Sequence, residues 1–310
     1  MRSPIVPPET LAGWIAAGRT DLRVVDVRWY LGQPRGTGRA AYDAGHIPGA
    51  IHLDLDTDLV APQGPGRHPL PSPDTFVRTL AANGIGDDDL VVAYDDVGGW
   101  VAARLWWMLD DLGFGANGRG GALVLDGGLP AWTAAGGSLT RDEPSPQVTE
   151  LHLASEWRRV IDREALKRDL GRVLLLDARG APRYRGEIEP IDPKPGHIPT
   201  SLSAPTDGNL GPDGRFRSND DLAARFEALR AAAWTAGMPL AADPGTPLVT
   251  SCGSGVSACH NALAMRIAGL PDPILYPGSY SDWSSAGEMV VTGAEPGHPP
   301  TIESERTRSA

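Results

Sequence analysis

Short apolar runs alternate with longer segments of helical period along the chain, and the whole alternation occurs twice. In the first half, residues 22–27, 90–94 and 122–125 are mainly apolar runs of strand length, the first interrupted by Arg23 and Asp26. Residues 75–82 and 101–112 carry apolar positions at helical spacing. In the second half, the strand-like runs are 173–177, 248–251 and 274–276, and the helical ones are 222–231 and 256–268. The last of these should stop at Gly269, ahead of Pro271. Continuous apolar runs describe strands buried on both faces, and their alternation with helical patterns predicts βα units around a parallel sheet.

Particular residues repeat as well. Asp26-Val27-Arg28 precedes Gly45-His46-Ile47-Pro48, and Asp177-Ala178-Arg179 precedes Gly196-His197-Ile198-Pro199. Asp26 and Asp177, His46 and His197, and Trp132 and Trp283 are each separated by 151 residues. Three landmarks at one offset predict a duplicated domain. A chain of 310 residues accommodates two domains of roughly 150 each. The predicted domains are 1–140 and 151–292. Residues 141–150, with Pro144 and Pro146, read as a linker, and 293–310 as a disordered tail. The landmark aspartates and histidines read as turn-holding residues, and Trp106 and Trp107 as packing the first domain's core or the domain interface.

The copies differ where chemistry would occur. The strand at 90–94 runs into Asp95, whereas the strand at 248–251 runs into Cys252-Gly253-Ser254-Gly255-Val256-Ser257. Glycines at 253 and 255 let the backbone curl so that successive N–H groups face inward as an anion nest. The following helix adds the positive end of its dipole. This environment favours a thiolate at Cys252. Cys259, inside the helix, reads as a packing residue. Phosphatase chemistry would require an arginine six residues after the cysteine, and position 258 is alanine.

Composition narrows the picture. With 28 basic and 39 acidic residues the net charge is −11, which argues against nucleic acid or an anionic membrane as partner. Two cysteines form no disulfide framework, and the seven histidines lack paired-ligand spacing, so no metal is expected. Gly36-Thr37-Gly38 lacks the third glycine of a dinucleotide site. No apolar run reaches membrane-spanning length, and the Met1-Arg2-Ser3-Pro4 start does not resemble a signal peptide. A cytoplasmic location is the expectation.

The Asp-x-Arg strand ends, the Gly-His-Ile-Pro-Gly-Ala segment at 45–50 and the Cys252 loop together resemble the tandem-domain rhodanese sulfurtransferases, over residues 5 to about 290. The resemblance implies two α/β domains, each a small parallel sheet flanked by helices, the first copy inactive and the second catalytic. It implies that Cys252 carries a sulfane sulfur as a persulfide and passes it to cyanide, a thiol or a thioredoxin-like protein, chemistry that needs no organic cofactor. The N–H groups of Gly253, Ser254, Gly255, Val256 and Ser257 would then cradle that sulfur. The neutral loop is similar to that of 3-mercaptopyruvate sulfurtransferases. Thiosulfate-specific members resemble Cys-Arg-Lys-Gly-Val instead.

In the mercaptopyruvate group a relay reaches the site from the first domain. Asp56, in Asp54-Leu55-Asp56, and His68, twelve residues later, match it. Ser254 would complete it. Arg183 matches a substrate-binding arginine, and Arg185 is a second candidate. A Glu-Pro-Arg segment common in that group is here Glu189-Pro190-Ile191, with Lys194 nearby as a possible point charge. Thiosulfate therefore stays open as the donor. A persulfide carrier without turnover is the alternative from another class.

Overall fold

The computed structural model describes residues 3–300. The chain folds into two compact units. The first comprises residues up to Gly64, Leu70–Arg159 and Leu210–Arg217. The second comprises Pro65–Pro69, Val160–Asn209 and Ser218 onward. The division falls between Arg159 and Val160 rather than at 141–150, so residues 141–159 belong to the first unit, and the two short segments Pro65–Pro69 and Leu210–Arg217 cross over.

In the first unit, strands β1 (Ile5–Val6), β2 (Leu22–Asp26), β3 (Ile51–His52), β4 (Leu90–Tyr94) and β5 (Gly121–Leu125) form one sheet. Its order is β1-β5-β4-β2-β3 and every pairing is parallel. In the second, β6 (Leu174–Asp177), β7 (Leu202–Ser203), β8 (Leu248–Ser251) and β9 (Ile274–Leu275) form a parallel sheet of order β7-β6-β8-β9. Helices connect the strands, so each central strand is covered on both faces. All four residues of β6 and of β8 are buried. That is why these strands read as apolar runs that turn polar only at their carboxyl ends, at Asp177 and at Thr250-Ser251.

The register positions the chemistry. Asp26 pairs with Tyr94 and Asp177 with Ser251. The loops opening at Asp95 and Cys252 thus leave the carboxyl ends of the central strands, where ligands of open α/β sheets bind. Each landmark aspartate holds its own Asp-x-Arg turn. Arg179 Nη2 donates to Asp177 Oδ2 (2.7 Å) and to the Gly196 carbonyl (2.7 Å), and Arg28 does the same with Asp26 (2.7 Å) and Gly45 (2.8 Å). His46 stacks on Tyr42 and His197 on Tyr184, with 4° between planes in both cases. The duplicated landmarks are scaffold.

Trp283 is fully buried and packs with Leu175, Ile198, Val249, Tyr276 and Tyr280 beneath the second sheet. Truncating such a side chain costs about 3–5 kcal/mol. In the first unit, Trp107 is buried and stacks 5.8 Å from Trp157.

The helix predicted over 256–268 occupies Ala258–Ile267, because the residues before it are consumed by the cysteine loop. It stops where expected: Gly269 has φ 71° and the Leu270 N–H returns to the Met265 carbonyl (3.0 Å). The helix predicted over 222–231 extends across Asn219–Thr235, since Ser218 caps it by accepting from the Asp221 N–H (3.2 Å). Helices Pro8–Ala16 and Thr37–Ala44 are not among the predicted ones, although Leu11, Trp14 and Ile15 of the first stand at helical spacing. Residues 293–300, expected to begin a disordered tail, are instead tied to the second unit. The Thr200 N–H donates to the Pro296 carbonyl (2.6 Å), and a His197 ring nitrogen contacts that of Glu295 (3.1 Å). The rest of the expected tail lies outside the described residues.

Candidate active site

Cys252 is 2% exposed, and its Sγ accepts from the N–H groups of Ser254 (3.4 Å) and Gly255 (3.1 Å). Gly255 makes the curl possible: its φ is 79°, and a Cβ there would collide with the Pro277 carbonyl oxygen. A facing segment fixes the loop. Cys252 N–H donates to Ser279 Oγ (3.0 Å), Tyr280 N–H to the Cys252 carbonyl (3.0 Å), and Ser281 N–H to that of Gly253 (2.9 Å). Ser279 itself sits at φ 53°, a conformation that costs an ordinary residue on the order of 1–3 kcal/mol. The Cys252 cradle is therefore held against local strain.

The first unit contains a related curl with a different occupant, turned by two left-handed glycines, Gly98 and Gly99, where the second unit has one, Gly255. Gly98, at φ 83°, matches Gly255. Asp95 is fully buried, and its carboxylate fills the curl. Oδ1 accepts from the N–H groups of Val97 (3.0 Å) and Gly99 (2.7 Å), and Oδ2 from those of Val101 (2.9 Å) and Ala102 (3.0 Å). Burial pushes this carboxyl above the usual carboxylate range, and the four N–H bonds oppose the shift. The duplicated loop is thus an anion nest: where no thiol sits, the chain supplies its own anion.

Around Cys252 the second unit assembles residues distant in sequence. His68, 7% exposed, shares a 2.7 Å hydrogen bond between Nδ1 and Ser254 Oγ. It reaches that position because Pro65–Pro69 belongs to the second unit. Gly66, at φ 77°, lies so close to the Gly278 carbonyl and Ser281 that no side chain fits, and Arg67 N–H donates to Ser281 Oγ (3.0 Å). Asp56 lies in the first unit, on the short helix Leu55–Asp58, where its N–H donates to the capping Asp54 (2.8 Å).

Arg183 stands beside the loop, its Nη1 3.5 Å from where a Cβ on Gly253 would be. It is oriented by Glu189 (2.7 Å) and Asp192 (3.0 Å). Burial pushes Asp192 up. Burial works in the same direction on Glu189, but the Arg183 and Asp192 N–H bonds prevail and hold it below the usual range. Arg185 has another role: it forks onto Glu187 at the surface (2.6 and 2.8 Å). Lys194 likewise donates to the Gly287 (3.1 Å) and Glu288 (3.3 Å) carbonyls. Val256 is buried and Ser257 half-buried at the entry to the Ala258–Ile267 helix, while Cys259 is fully buried with its thiol toward the Gly255 carbonyl (3.5 Å).

Sequence reasoning missed Arg67, Arg179, Asp192 and the Ser279–Ser281 clamp. Arg179 Cδ lies 3.9 Å from the same Gly253 position, and its guanidinium stacks on Tyr280 (3.8 Å). The repeat carried a signal for Arg179 alone, through its match to Arg28.

Two parallel-sheet α/β units, each with a strand-to-helix anion nest, define the class. The rhodanese-like domain model matches residues 7–135 and 162–286, and the chain belongs to that family. It is 46% identical over 279 residues to the probable 3-mercaptopyruvate sulfurtransferase of Pseudomonas aeruginosa, covering 88% of this chain and 93% of that one. It is 41% identical over 286 residues to the putative thiosulfate sulfurtransferase SseB of Mycobacterium tuberculosis, covering 91% and 94%. The solved structure of 3-mercaptopyruvate sulfurtransferase from Leishmania major matches with a TM-score of 0.75 at 30% identity, over 92% of this chain and 75% of that one. No helix among the described residues is long and apolar enough to cross a membrane.

Proposed function

We propose that the protein transfers a sulfane sulfur from 3-mercaptopyruvate through a Cys252 persulfide. The observation that carries this reading is the His68–Ser254 hydrogen bond (2.7 Å) in a Cys252 loop that has no basic residue of its own. Ser254 N–H also donates to Cys252 Sγ (3.4 Å), so this polar pair adjoins the nucleophile.

The Cys252 thiolate attacks the donor sulfur, forming an S–S bond as the C–S bond breaks. The C–S electron pair leaves on carbon as the enolate of pyruvate. Ser254, relaying through His68, hydrogen-bonds the developing oxyanion and supplies the proton route by which carbon receives the proton given up by the donor thiol. Asp56 is the relay's third member in this reading. The outer sulfur stands two bonds from Cβ, as Asp95 Oδ does in the first copy. Four N–H groups serve the Asp95 carboxylate at 2.7–3.0 Å, and in the second copy the N–H groups of Ser254 and Gly255, which already face Cys252 Sγ, would serve the persulfide with those of Val256 and Ala258. An acceptor thiolate or cyanide then attacks the outer sulfur and restores the Cys252 thiolate, a ping-pong cycle. Both cysteines are free and buried, which suits a reducing cytoplasm and a thiol or thioredoxin-like acceptor.

Thiosulfate is the competing donor, favoured by the missing arginine at position 191. The test is kcat/KM for both donors side by side. A higher value with 3-mercaptopyruvate is expected. A preference for thiosulfate would overturn the choice of donor.

A further inference from the structure

The position occupied by isoleucine at 191 leaves the donor's carboxylate one arginine short, yet a second guanidinium reaches the loop from elsewhere. Arg67 Nη2 lies 2.9 Å from where a Cβ on Gly253 would stand, and Arg183 Nη1 lies 3.5 Å from the same point. Both arginines are tied to one carboxylate: Asp192 pairs with Arg67 through Nη1 and with Arg183 through Nη2 (3.0 Å). Asp192 therefore brackets two cations on one side of Cys252.

Arg67 is incompletely used by its surroundings. Its Nε is buried without a hydrogen-bond partner among the described residues. Nε and Nη2 form the edge of a guanidinium that grips a carboxylate with two parallel bonds. Arg179 differs: its corresponding edge is spent on Asp177 (Nε 3.0 Å, Nη2 2.7 Å). A buried donor with no acceptor is unfavourable unless a ligand completes it.

We propose that Arg67 is a specificity-determining residue of the donor site, its Nε/Nη2 edge holding the donor carboxylate together with Arg183. This rests on the sulfur-transfer reading above. It also specifies the charge of the donor. Arg67 and Arg183 are already balanced by Glu189 and Asp192, whose side chains are each 2% exposed. Two cations against two buried anions leave room for a monoanionic 2-oxo acid rather than a compact dianion.

The test is steady-state kinetics on the full chain with Arg67→Gln, Arg67→Lys and Asp192→Asn. In Arg67→Gln, KM for 3-mercaptopyruvate should rise about 10- to 100-fold, the loss of a charge-assisted bidentate contact, with kcat changed less than about threefold. The inhibition constant of pyruvate should rise in parallel, and KM for a neutral thiol acceptor should stay unchanged. Arg67→Lys, which keeps the charge and loses the fork, should fall between. Asp192→Asn should shift the donor preference toward thiosulfate. An unchanged donor KM in Arg67→Gln, or equal losses toward donor and acceptor, would overturn the proposal. Mass analysis of the wild type after donor treatment separates the two levels. If a persulfide forms on Cys252 but Arg67 proves irrelevant, only this inference fails. If no persulfide forms, the transfer reading fails and this inference with it.

Discussion

Replacing Asp95 by asparagine tests whether the duplicated loop is a nest for anions. The side chains are close in size, so packing is retained and only the acceptor pattern changes. The carboxylate accepts four N–H bonds in a fully buried site. Asparagine keeps one oxygen, enough for two of them, and points an NH₂ group at the other two donors. Hydrogen bonds to a charged group contribute about 1.5–3 kcal/mol each, so losing two should cost about 3–6 kcal/mol. Guanidinium unfolding followed by tryptophan fluorescence resolves this, since of nine tryptophans only Trp234 and Trp283 lie in the second unit. The expected result is a separate transition of the first unit at lower denaturant, with the second-unit transition less affected. A shift below about 1 kcal/mol would refute the reasoning, because the curl would then be indifferent to what fills it.

Ser254→Ala should lower kcat with 3-mercaptopyruvate by roughly 10- to 1,000-fold with little change in Tm. His68→Gln should act similarly, and the double variant should be little worse than either single one, since both remove the same hydrogen bond. Additive losses in the double variant would separate the two residues. Glu189 gives a pH dependence. Its carboxyl lies below the ordinary value of about 4.3, so its contribution to stability is present above that pH and lost as pH falls through the lowered value. Glu189→Gln should be less stable than the wild type at pH 7, with the gap narrowing as the pH is taken below about 4.3 in denaturant titrations. A gap that stays constant across that range would contradict the assignment.

The strands central to each sheet were legible because burial on both faces makes them mainly apolar runs. The strands β3, β7 and β9 have two residues each, too short to show a period, and only the 274–276 run among them was anticipated. The duplicated turn was legible because it is local: Asp177 and Arg179 are two residues apart, and the guanidinium reaches Gly196 within the same unit. Cys252 stood out because its glycines and the strand before it are neighbours in sequence. Arg67 and Asp192 could not be found that way. They are 125 residues apart, and each alone reads as a surface charge. His68 was placed by family likeness, and its contact with Ser254 spans 186 residues. Lys194 and Arg185 illustrate the converse, since a cation near the site in sequence can be drawn off by nearer carbonyls or by Glu187.

The central claim is that Cys252 carries the sulfur. Purified protein treated with 3-mercaptopyruvate in the absence of acceptor should be digested and its peptides weighed. The account predicts that the Cys252 peptide gains one sulfur atom, that the Cys259 residue stays unmodified, and that cyanide or a thiol removes the added mass. An enzyme that turns over donor and acceptor while Cys252 remains unmodified, or that keeps its activity in Cys252→Ser, would contradict it.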